Sequence, residues 1–492
     1  MKYPFVYNAA ALAALLGFAI SSARAAPAPV VFDVNTVADL VDSSLADPAC
    51  HTVANTCSLR AAVMQANTSF ADVIINLPAG TYPLTIQGTN TDGADSGDLN
   101  ITSSPSSATS EVRLVGAGVG RTIIDSRTGF DGVISVDQGR RVKISGVTIR
   151  NGKPARGFGG GVFSQGILTI SDSAIESSFS TNVGGGILID GGTLELVRSV
   201  VRLNSTNGLG GGIYASGAKV TISDSIIESN HAEDLGGGIV SDTGNMLEVS
   251  GSTIRWNITG GRGGGMYVSG GGGVNAVRSS TLYGNGANFG GAIENSGLIY
   301  VVNSTLSGNY SYVDGGGIDN GASSAAAFLY NTSIIDNDAN DNRSPDGGSG
   351  GGIMAIAGSR LVLVNSLVAR NTQLADVNNP DDCAGTVEVY GWNLLGNLYG
   401  CTFLGNGPPG RGSVSPNTIG PLQNNGGPTL THALLAGSEA INSTKTQGCI
   451  DETGKPLTTD QRDAPRIAGV RCDVGAFEYG AVIDFIFRNG FE

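Results

Sequence analysis

The sequence predicts an all-β protein, built as a parallel β-helix with about 26 residues in each coil and three strands per coil. Three observations predict this fold: a glycine run that returns at this period, apolar residues at alternating positions, and an asparagine at a fixed place in most repeats. A β-propeller is disfavoured because its blades need about 40 residues and four strands. We also expect an N-terminal capping helix and an irregular, disulfide-containing C-terminal cap.

Each glycine run is followed by an apolar residue, which begins the first predicted strand of its coil. The run starts at Gly159, Gly184, Gly210, Gly236, Gly263, Gly290, Gly315 and Gly350. The apolar residues are Val162, Ile187, Ile213, Ile239, Met266, Ile293, Ile318 and Ile353. Glycine is favoured where the backbone needs a positive φ or a close approach, so we expect a tight turn at each run.

Two further strands per coil are predicted by a second pattern. Two apolar residues stand two positions apart, and a third apolar residue follows five positions after the second. Leu168, Ile170 and Ile175 are one example, and such alternation is typical of half-buried strands. An asparagine stands three residues after the third apolar position in eight consecutive repeats: Asn204, Asn230, Asn257, Asn285, Asn309, Asn337, Asn371 and Asn397. Stacked amides can hydrogen-bond along the axis, so the pattern predicts an asparagine ladder.

A row of alternating charge supports the same register. The residue after the third apolar position is Arg150, Glu176, Arg202, Glu228 and Arg255 in five successive repeats. In stacked parallel coils these side chains meet on one outer face, where opposite charges stabilise the pairing. We interpret the row as a solvated support for the register rather than as a ligand site.

The ends of the chain differ from the repeats. Lys2, an apolar run over 9–20 and the small residues Ala23 and Ala25 have the order of a cleaved secretory signal. The expected organisation is a signal peptide over 1–25, an N-terminal cap over 26–72, the β-helix over 73–400, a C-terminal cap over 401–480 that closes the far end, and a tail over 481–492. Within the first cap, residues 58–67 have helical spacing, with Leu59, Ala62, Val63 and Ala66 on one side.

Six cysteines in an exported protein favour disulfides over thiol chemistry. They lie as three close pairs, Cys50 with Cys57, Cys383 with Cys401 and Cys449 with Cys472, although other connectivities stay open. A zinc site is disfavoured because the chain has only three histidines and none has a Cys-x-x-Cys partner. The formal charge of −14 disfavours nucleic acid and anionic membranes as partners, since both require basic patches. No later segment is apolar for long enough to cross a membrane, and we expect a monomer.

Motifs at both ends resemble a known group of proteins. The segment from Cys57 to Ala62 resembles the CSLREA domain of secreted bacterial β-helix proteins, with Ala61 where the family has Glu. Ala61 cannot complete a capping box with Ser58, so the helix should begin less firmly. The stretches over 419–442, 460–466 and 472–479 resemble the region shared by choice-of-anchor Q proteins. The resemblance implies a secreted or surface-associated right-handed parallel β-helix of pectate-lyase-like fold, without an established activity to carry over.

One outward row of side chains is a candidate site. The residue after the first apolar position of each coil is Phe163, Leu188, Tyr214, Val240, Tyr267, Glu294, Asp319 and Met354. The aromatic members Phe163, Tyr214 and Tyr267 are candidate sugar-binding residues, and Glu294 and Asp319 are candidate catalytic carboxyls, because paired carboxylates about 5 Å apart suit retaining glycoside hydrolysis. Aromatic and acidic residues are also ordinary on exposed strands.

An insertion between two repeats contains Asp336, Asp338 and Asp341, whose oxygens could hold Ca²⁺. Their spacing does not meet the EF-hand pattern, so a solvated loop and no cofactor are expected there.

The sequence therefore predicts an exported scaffold, secreted or attached to the cell surface, that binds or adheres to a polysaccharide or another cell-envelope component without catalysis. The alternative is a polysaccharide lyase or glycoside hydrolase acting in the side groove of the β-helix.

Overall fold

The computed structural model is an all-β parallel β-helix of stacked coils, and it confirms the predicted fold. The structure describes residues 28–482 except for 89–92, 103–109, 128–130, 341–347, 375, 406–408, 411–414 and 445–447. The predicted signal peptide over 1–25, most of the tail over 481–492 and Asp341 lie outside the described residues. Among the described residues, no helix has both the length and the apolar character to cross a membrane.

A regular coil contains four strands, one more than predicted. In one coil these are Val162–Ser164, Ile167–Ser171, Ala174–Glu176 and Phe179–Ser180. The first two belong to a single large sheet, and the other two belong to separate sheets. The fourth strand has only two residues and no apolar repeat, so the sequence pattern did not predict it.

The large sheet carries two strands from most coils. Its first set is Leu99–Ile101, Ile134–Val136, Val162–Ser164, Ile187–Asp190, Ile213–Ser216, Ile239–Ser241, Met266–Val268, Ile293–Asn295, Ile318–Asn320 and Ile353–Ala355. Its second set is Val30–Asp33, Val73–Leu77, Glu111–Gly116, Arg141–Ser145, Ile167–Ser171, Thr193–Val197, Lys219–Ser223, Met246–Ser250, Val274–Arg278, Leu298–Val302, Ala326–Tyr330 and Arg360–Val364. Both sets continue into Cys383–Tyr390, and Cys401–Leu404 is the last strand of the sheet.

Two further sheets complete the coils. The second sheet comprises Gly80–Pro83, Thr122–Asp125, Thr148–Arg150, Ala174–Glu176, Val200–Arg202, Ile226–Glu228, Thr253–Arg255, Thr281–Tyr283, Thr305–Ser307, Ser333–Ile335, Leu367–Ala369, Asn393–Leu395 and Pro409–Gly410. The third comprises Phe179–Ser180, Ser205–Thr206, His231–Ala232, Ile258–Thr259, Gly286–Ala287, Tyr310–Ser311, Asp338–Ala339, Thr372–Gln373 and the antiparallel Asp376–Pro380. The other elements are the helix Leu59–Thr68, the 3₁₀ helix Pro416–Thr418 and the antiparallel pair Ile419–Gln423 and Thr431–Leu434.

The apolar positions of the repeat form one continuous core between the sheets. Leu168, Ile170 and Ile175 are fully buried, and the same positions of the neighbouring coils pack above and below them. Because each strand pairs with its counterpart in the next coil, each apolar side chain contacts the side chains at the equivalent positions of the neighbouring coils. This is the expected packing of a repeat architecture.

The asparagine ladder is present over most of its predicted length. In each step the amide of one asparagine donates to the side-chain oxygen of the next, from Asn204 to Asn371. Asn397 is not part of it, contrary to prediction. Asn371 instead donates to Asp382 Oδ1 at 2.8 Å, because the inserted strand Asp376–Pro380 brings Asp382 into the next position. The buried carboxyl of Asp382 accepts from Asn371 and from the backbone N–H of Asn397, and it ends the ladder.

The alternating charge row also forms, as separate ion pairs. Arg202 lies 2.7 Å from Glu176, Arg255 contacts Glu228, and Arg150 pairs with Asp125 in the preceding coil at 2.9 Å. The row therefore supports coil stacking on the outer face of the second sheet, as expected.

The N-terminal segment covers the first coils with the predicted helix. Ser58 caps Leu59–Thr68 by accepting a hydrogen bond from the backbone N–H of Ala61 at 3.0 Å. The strand Val30–Asp33 pairs in parallel with Val73–Leu77, so the large sheet already begins within the region 26–72.

The C-terminal segment makes its contacts along the side of the β-helix, whereas we expected it to close the far end. Ile419, Leu434, Val474 and Phe477 pack on outward apolar residues of the second sheet in its last coils. The same segment also donates the backbone N–H of Ala476 to Ser333 Oγ. The structure joins the three predicted cysteine pairs, with Cα–Cα distances of 5.2, 5.7 and 6.1 Å.

Candidate functional site

The predicted outward row lies in register on the large sheet. Its members pair coil by coil in the order Phe163, Leu188, Tyr214, Val240, Tyr267, Glu294, Asp319 and Met354. Leu188 and Val240 are buried, whereas Phe163, Tyr214 and Tyr267 are half-buried. The row therefore presents an aromatic side chain at every second coil, about 10 Å apart for coils spaced by about 4.8 Å.

The two candidate catalytic carboxyls are register partners and are closed off from solvent. Glu294 is 0% exposed and Asp319 is 2% exposed. The Arg262 guanidinium lies 2.9 Å from Glu294 Oε1, and it also stacks 4.2 Å from the centre of the Phe289 ring. Arg262 therefore covers the two carboxyls and places a positive charge next to them.

Burial raises the pKa of both carboxyls. The pKa of Asp319 rises to about 9, because burial and the neighbouring Glu294 charge both oppose its ionisation. Burial also raises the pKa of Glu294, although Asp319 and Arg262 stabilise its charged form. At neutral pH Asp319 therefore keeps its proton beside Glu294. A substrate would reach these groups only after Arg262 moved, and their catalytic role stays a prediction.

The candidate calcium residues have other partners. Asp336 lies 2.6 Å from Arg370 Nη2, and Asp338 accepts a hydrogen bond from Thr372 at 2.6 Å. In the part of the chain that the structure describes, no three acidic, histidine or cysteine side chains converge so as to hold a metal ion.

A cleft of about 480 Å³ opens beside the first coils of the large sheet, and the sequence analysis did not predict it. Its lining residues are Asp98, Asn100, Thr102, Asp131, Gly132, Ser135, Asp137, Pro154, Arg156, Phe158, Gly159 and Phe163. Asn100, Ser135 and Phe163 are register partners, so the cleft continues the outward row towards the N-terminal end. Phe163 belongs to both features.

Two carboxyls give the cleft its chemistry. Burial and the neighbouring Asp131 raise the pKa of Asp98 to about 7, while Arg60 partly opposes this rise. Asp131 is buried, and its Oδ1 accepts the backbone N–H of Gly132 at 2.9 Å. Asp98 therefore exchanges a proton near neutral pH beside a second carboxyl group.

Arg60, from the Cys57 to Ala62 motif, lies behind the loop that carries Asp98 and supports it. Its fully buried guanidinium binds both carboxylate oxygens of Asp39, at 2.6 and 3.2 Å. It also donates to the carbonyl oxygens of Ala94 and Gly97, each at 2.8 Å. This network fixes the backbone immediately before Asp98, so the arginine of the motif has a structural role.

A serine and histidine contact was also missed by the sequence analysis. Ser307 Oγ lies 2.8 Å from His432 Nε2, and His432 Nδ1 lies 2.8 Å from the carbonyl oxygen of Gly420. These distances assign the Nδ1 proton to the bond with Gly420 and leave Nε2 as the acceptor for Ser307. Both side chains are buried, and burial lowers the pKa of His432. The contact therefore joins the C-terminal segment to the β-helix.

The comparisons with known proteins concern the fold. No protein-family model and no curated protein matches this sequence. The chain is similar to the crystal structure of pectate lyase Pel9A, with 13% identity, a TM-score of 0.48 and coverage of 92% of this chain and 97% of that one. It also resembles the catalytic unit of the GH87 α-1,3-glucanase from Streptomyces thermodiastaticus strain HF3-3, with 14% identity, a TM-score of 0.28 and coverage of 76% and 69%. Neither likeness bears on the chemistry of the cleft.

Proposed function

We propose that the protein binds a polysaccharide along the outward face of the large sheet. The observation that carries the proposal is that Phe163 lies both in the aromatic row and in the cleft wall. A single chain molecule can therefore occupy the cleft and continue along the row. A cleft of several hundred Å³ that combines aromatic faces with a few polar groups is typical of ligand sites.

The chemistry of this face suits sugar rings. Aromatic side chains present flat apolar surfaces, and Phe158, which is 46% exposed, adds a second ring beside Phe163. Asn100 and Ser135 supply groups that exchange hydrogen bonds with hydroxyls. The spacing of about 10 Å between alternate coils is close to the length of a disaccharide unit, so aromatic side chains can contact every second sugar.

The proposed setting is outside the cytoplasm. Three disulfides are typical of exported proteins. The N-terminal signal pattern and the resemblance to CSLREA and choice-of-anchor Q proteins support a secreted or surface-attached monomer. In this setting the protein would act as an adhesion or glycan-binding scaffold.

Removing the shared aromatic side chain tests the proposal. Phe163→Ala should weaken binding of the best glycan by about tenfold or more, because a buried stacking contact is worth about 1.5 kcal/mol. The measurement is a glycan array followed by titration calorimetry with the selected oligosaccharide. Phe179→Ala, on the third sheet, is the matched control and should bind normally. An array without a ligand, or normal binding by the Phe163 variant, would contradict the proposal.

A second candidate function is hydrolysis of the bound polysaccharide. It is favoured by one observation, the carboxyl of Asp98 with a pKa of about 7 beside Asp131. A carboxyl that is still partly protonated at neutral pH can act as a general acid, and a second carboxylate can act as base or nucleophile. The array glycans, assayed for new reducing ends, test this candidate. If no reducing ends are released, binding alone remains.

A further inference from the structure

The cleft has an excess of acidic groups over basic ones. Asp98, Asp131 and Asp137 line it, whereas Arg156 is its basic side chain. Among the residues that the structure describes, no ion pair within 4 Å joins Asp98 or Asp131 to a lysine, arginine or histidine. The negative charge of the cleft is therefore incompletely balanced by the protein itself.

Arg60 does not supply the missing charge. Its guanidinium already binds Asp39 through two nitrogen atoms and donates to two backbone carbonyl oxygens. It is fully buried behind the loop that carries Asp98, so a ligand in the cleft cannot contact it. It weakens the rise in the pKa of Asp98 without removing it.

The two carboxyls are held close together by the backbone. A methyl group added at Gly97 would lie 2.5 Å from Asp131 Oδ2, so the Asp131 carboxylate packs directly against the residue that precedes Asp98. The rise in the pKa of Asp98 has the Asp131 charge as its second cause, after burial. A cationic group placed between these side chains would relieve their repulsion.

Resting on the proposed polysaccharide binding, we propose that the cleft selects glycans that carry amino groups and rejects polyuronates. An ammonium group on a sugar ring can pair with Asp131 and displace the proton of Asp98, while the ring stacks on Phe158 or Phe163. A uronate polymer would place a carboxylate in a cleft that is already negative, on a chain of formal charge −14. Like charges across an interface are strongly unfavourable, and electrostatic complementarity provides much of the specificity of binding.

The test compares three oligomers at pH 6: a glucosamine hexamer, the N-acetylglucosamine hexamer as its uncharged counterpart, and a galacturonate hexamer. Titration calorimetry should show the glucosamine hexamer binding about tenfold more tightly than the acetylated one, with a preference that falls as salt is added. The galacturonate hexamer should bind weakest. Asp131→Asn should bring the glucosamine and N-acetylglucosamine affinities to within about twofold of each other.

Two further variants keep the test sound. Arg156→Gln removes an exposed basic group from the cleft, cannot disturb the core, and should raise the preference for glucosamine about threefold. Glu233→Gln changes an exposed acid outside the cleft lining and should leave all three affinities unchanged.

The outcomes separate this inference from the proposed function. Tightest binding of the galacturonate hexamer, or equal binding of the amino and acetylated hexamers, would overturn the charge selection and leave polysaccharide binding intact. Absence of binding by every glycan, including those of the array, would overturn both proposals. A preference for glucosamine that Asp131→Asn does not change would also overturn the assignment to this cleft.

Discussion

The buried carboxyl pair predicts that Asp319→Asn makes the protein more stable at alkaline pH. Asp319 keeps its proton at neutral pH, next to Glu294 and beneath Arg262. Because the pKa of Asp319 is raised in the folded protein, its stabilising contribution is complete below the ordinary pKa of 3.8 and is lost as pH rises towards about 9. An asparagine amide can donate to Glu294 at every pH without having to retain a proton, so the variant should escape this loss.

The size of the effect follows from linkage. Between pH 3.8 and about 9 the folded chain keeps this proton and the unfolded chain does not. Each pH unit in this range therefore lowers the free energy of unfolding by about 1.4 kcal/mol. At pH 8.5 the upper bound is therefore about 6 kcal/mol. Because the protein relaxes around a buried charge, the gain in unfolding free energy is smaller than this bound. We expect the variant to be about 2–4 kcal/mol more stable than the wild type at pH 8.5. At pH 4 the two proteins should agree within about 1 kcal/mol.

The assay is urea unfolding at pH 4, 6 and 8.5, followed by tryptophan fluorescence with the disulfides intact. Asp172→Asn is the matched control, because Asp172 is exposed and pairs with Arg198 on the surface. The control should lower the free energy of unfolding by no more than about 0.5–1 kcal/mol, and between pH 6 and 8.5 its pH profile should match that of the wild type. If the profile of Asp319→Asn also runs parallel to the wild type, the pKa of Asp319 is not raised in the folded protein and the prediction is wrong.

Two further predictions concern buried polar networks. Arg60→Lys keeps the charge but cannot bind Asp39 and two carbonyl oxygens together, so the pKa of Asp98 should rise and stability should fall by about 2 kcal/mol. Carboxyl ¹³C titration of Asp98 and urea unfolding measure this, and an unchanged Asp98 titration would count against the positioning role. Asn285→Ala removes four buried hydrogen bonds of the ladder and should cost about 4 kcal/mol, against about 0.5 kcal/mol or less for exposed Asn207→Ala. A loss below about 1 kcal/mol for Asn285→Ala would show that the ladder contributes little.

The fold could be predicted because each coil imposes the same steric and hydrogen-bonding constraints at the same positions. In each run the first glycine has a positive φ, for example 66° at Gly184, and a Cβ there would lie 2.7 Å from the carbonyl oxygen of Ile187. A side chain at this position would clash with the backbone, so every repeat has glycine there. The asparagines are similarly restricted, since each must both donate to and accept from its neighbours.

The burial of the candidate carboxyls could not be predicted from that pattern. The row is outward-facing, but Arg262 and the following glycine turns fold over Glu294 and Asp319. Arg262 stands immediately before a glycine run, at a position where Phe289 follows in the next coil. Which side chain at this position folds over the row depends on contacts between coils, and those contacts are not periodic.

The docking of the C-terminal segment has a signal in the sequence. The outward positions of the second sheet carry arginine and glutamate in the earlier coils, but Ile335, Leu367 and Ala369 are outward-facing in the last coils and are buried against the C-terminal segment. An outward row that changes from charged to apolar indicates a covered surface. The prediction that this segment closes the coil end was based instead on the need of open coils for protection.

The cleft lies where the repeat first departs from its glycines. Asp131 stands three residues before Ile134, the place that Gly159 takes before Val162, and Asp98 stands one residue before Leu99, the place of Gly161. Gly159 has a φ of 62°, and a Cβ added there would lie 3.0 Å from the Cβ of Phe163. In the two preceding coils aspartates stand where the later coils have glycines, and both aspartates line the cleft. The substitutions that break the repeat therefore place two carboxyls in the cleft, which is why departures from a strict repeat are the positions where chemistry should be sought first.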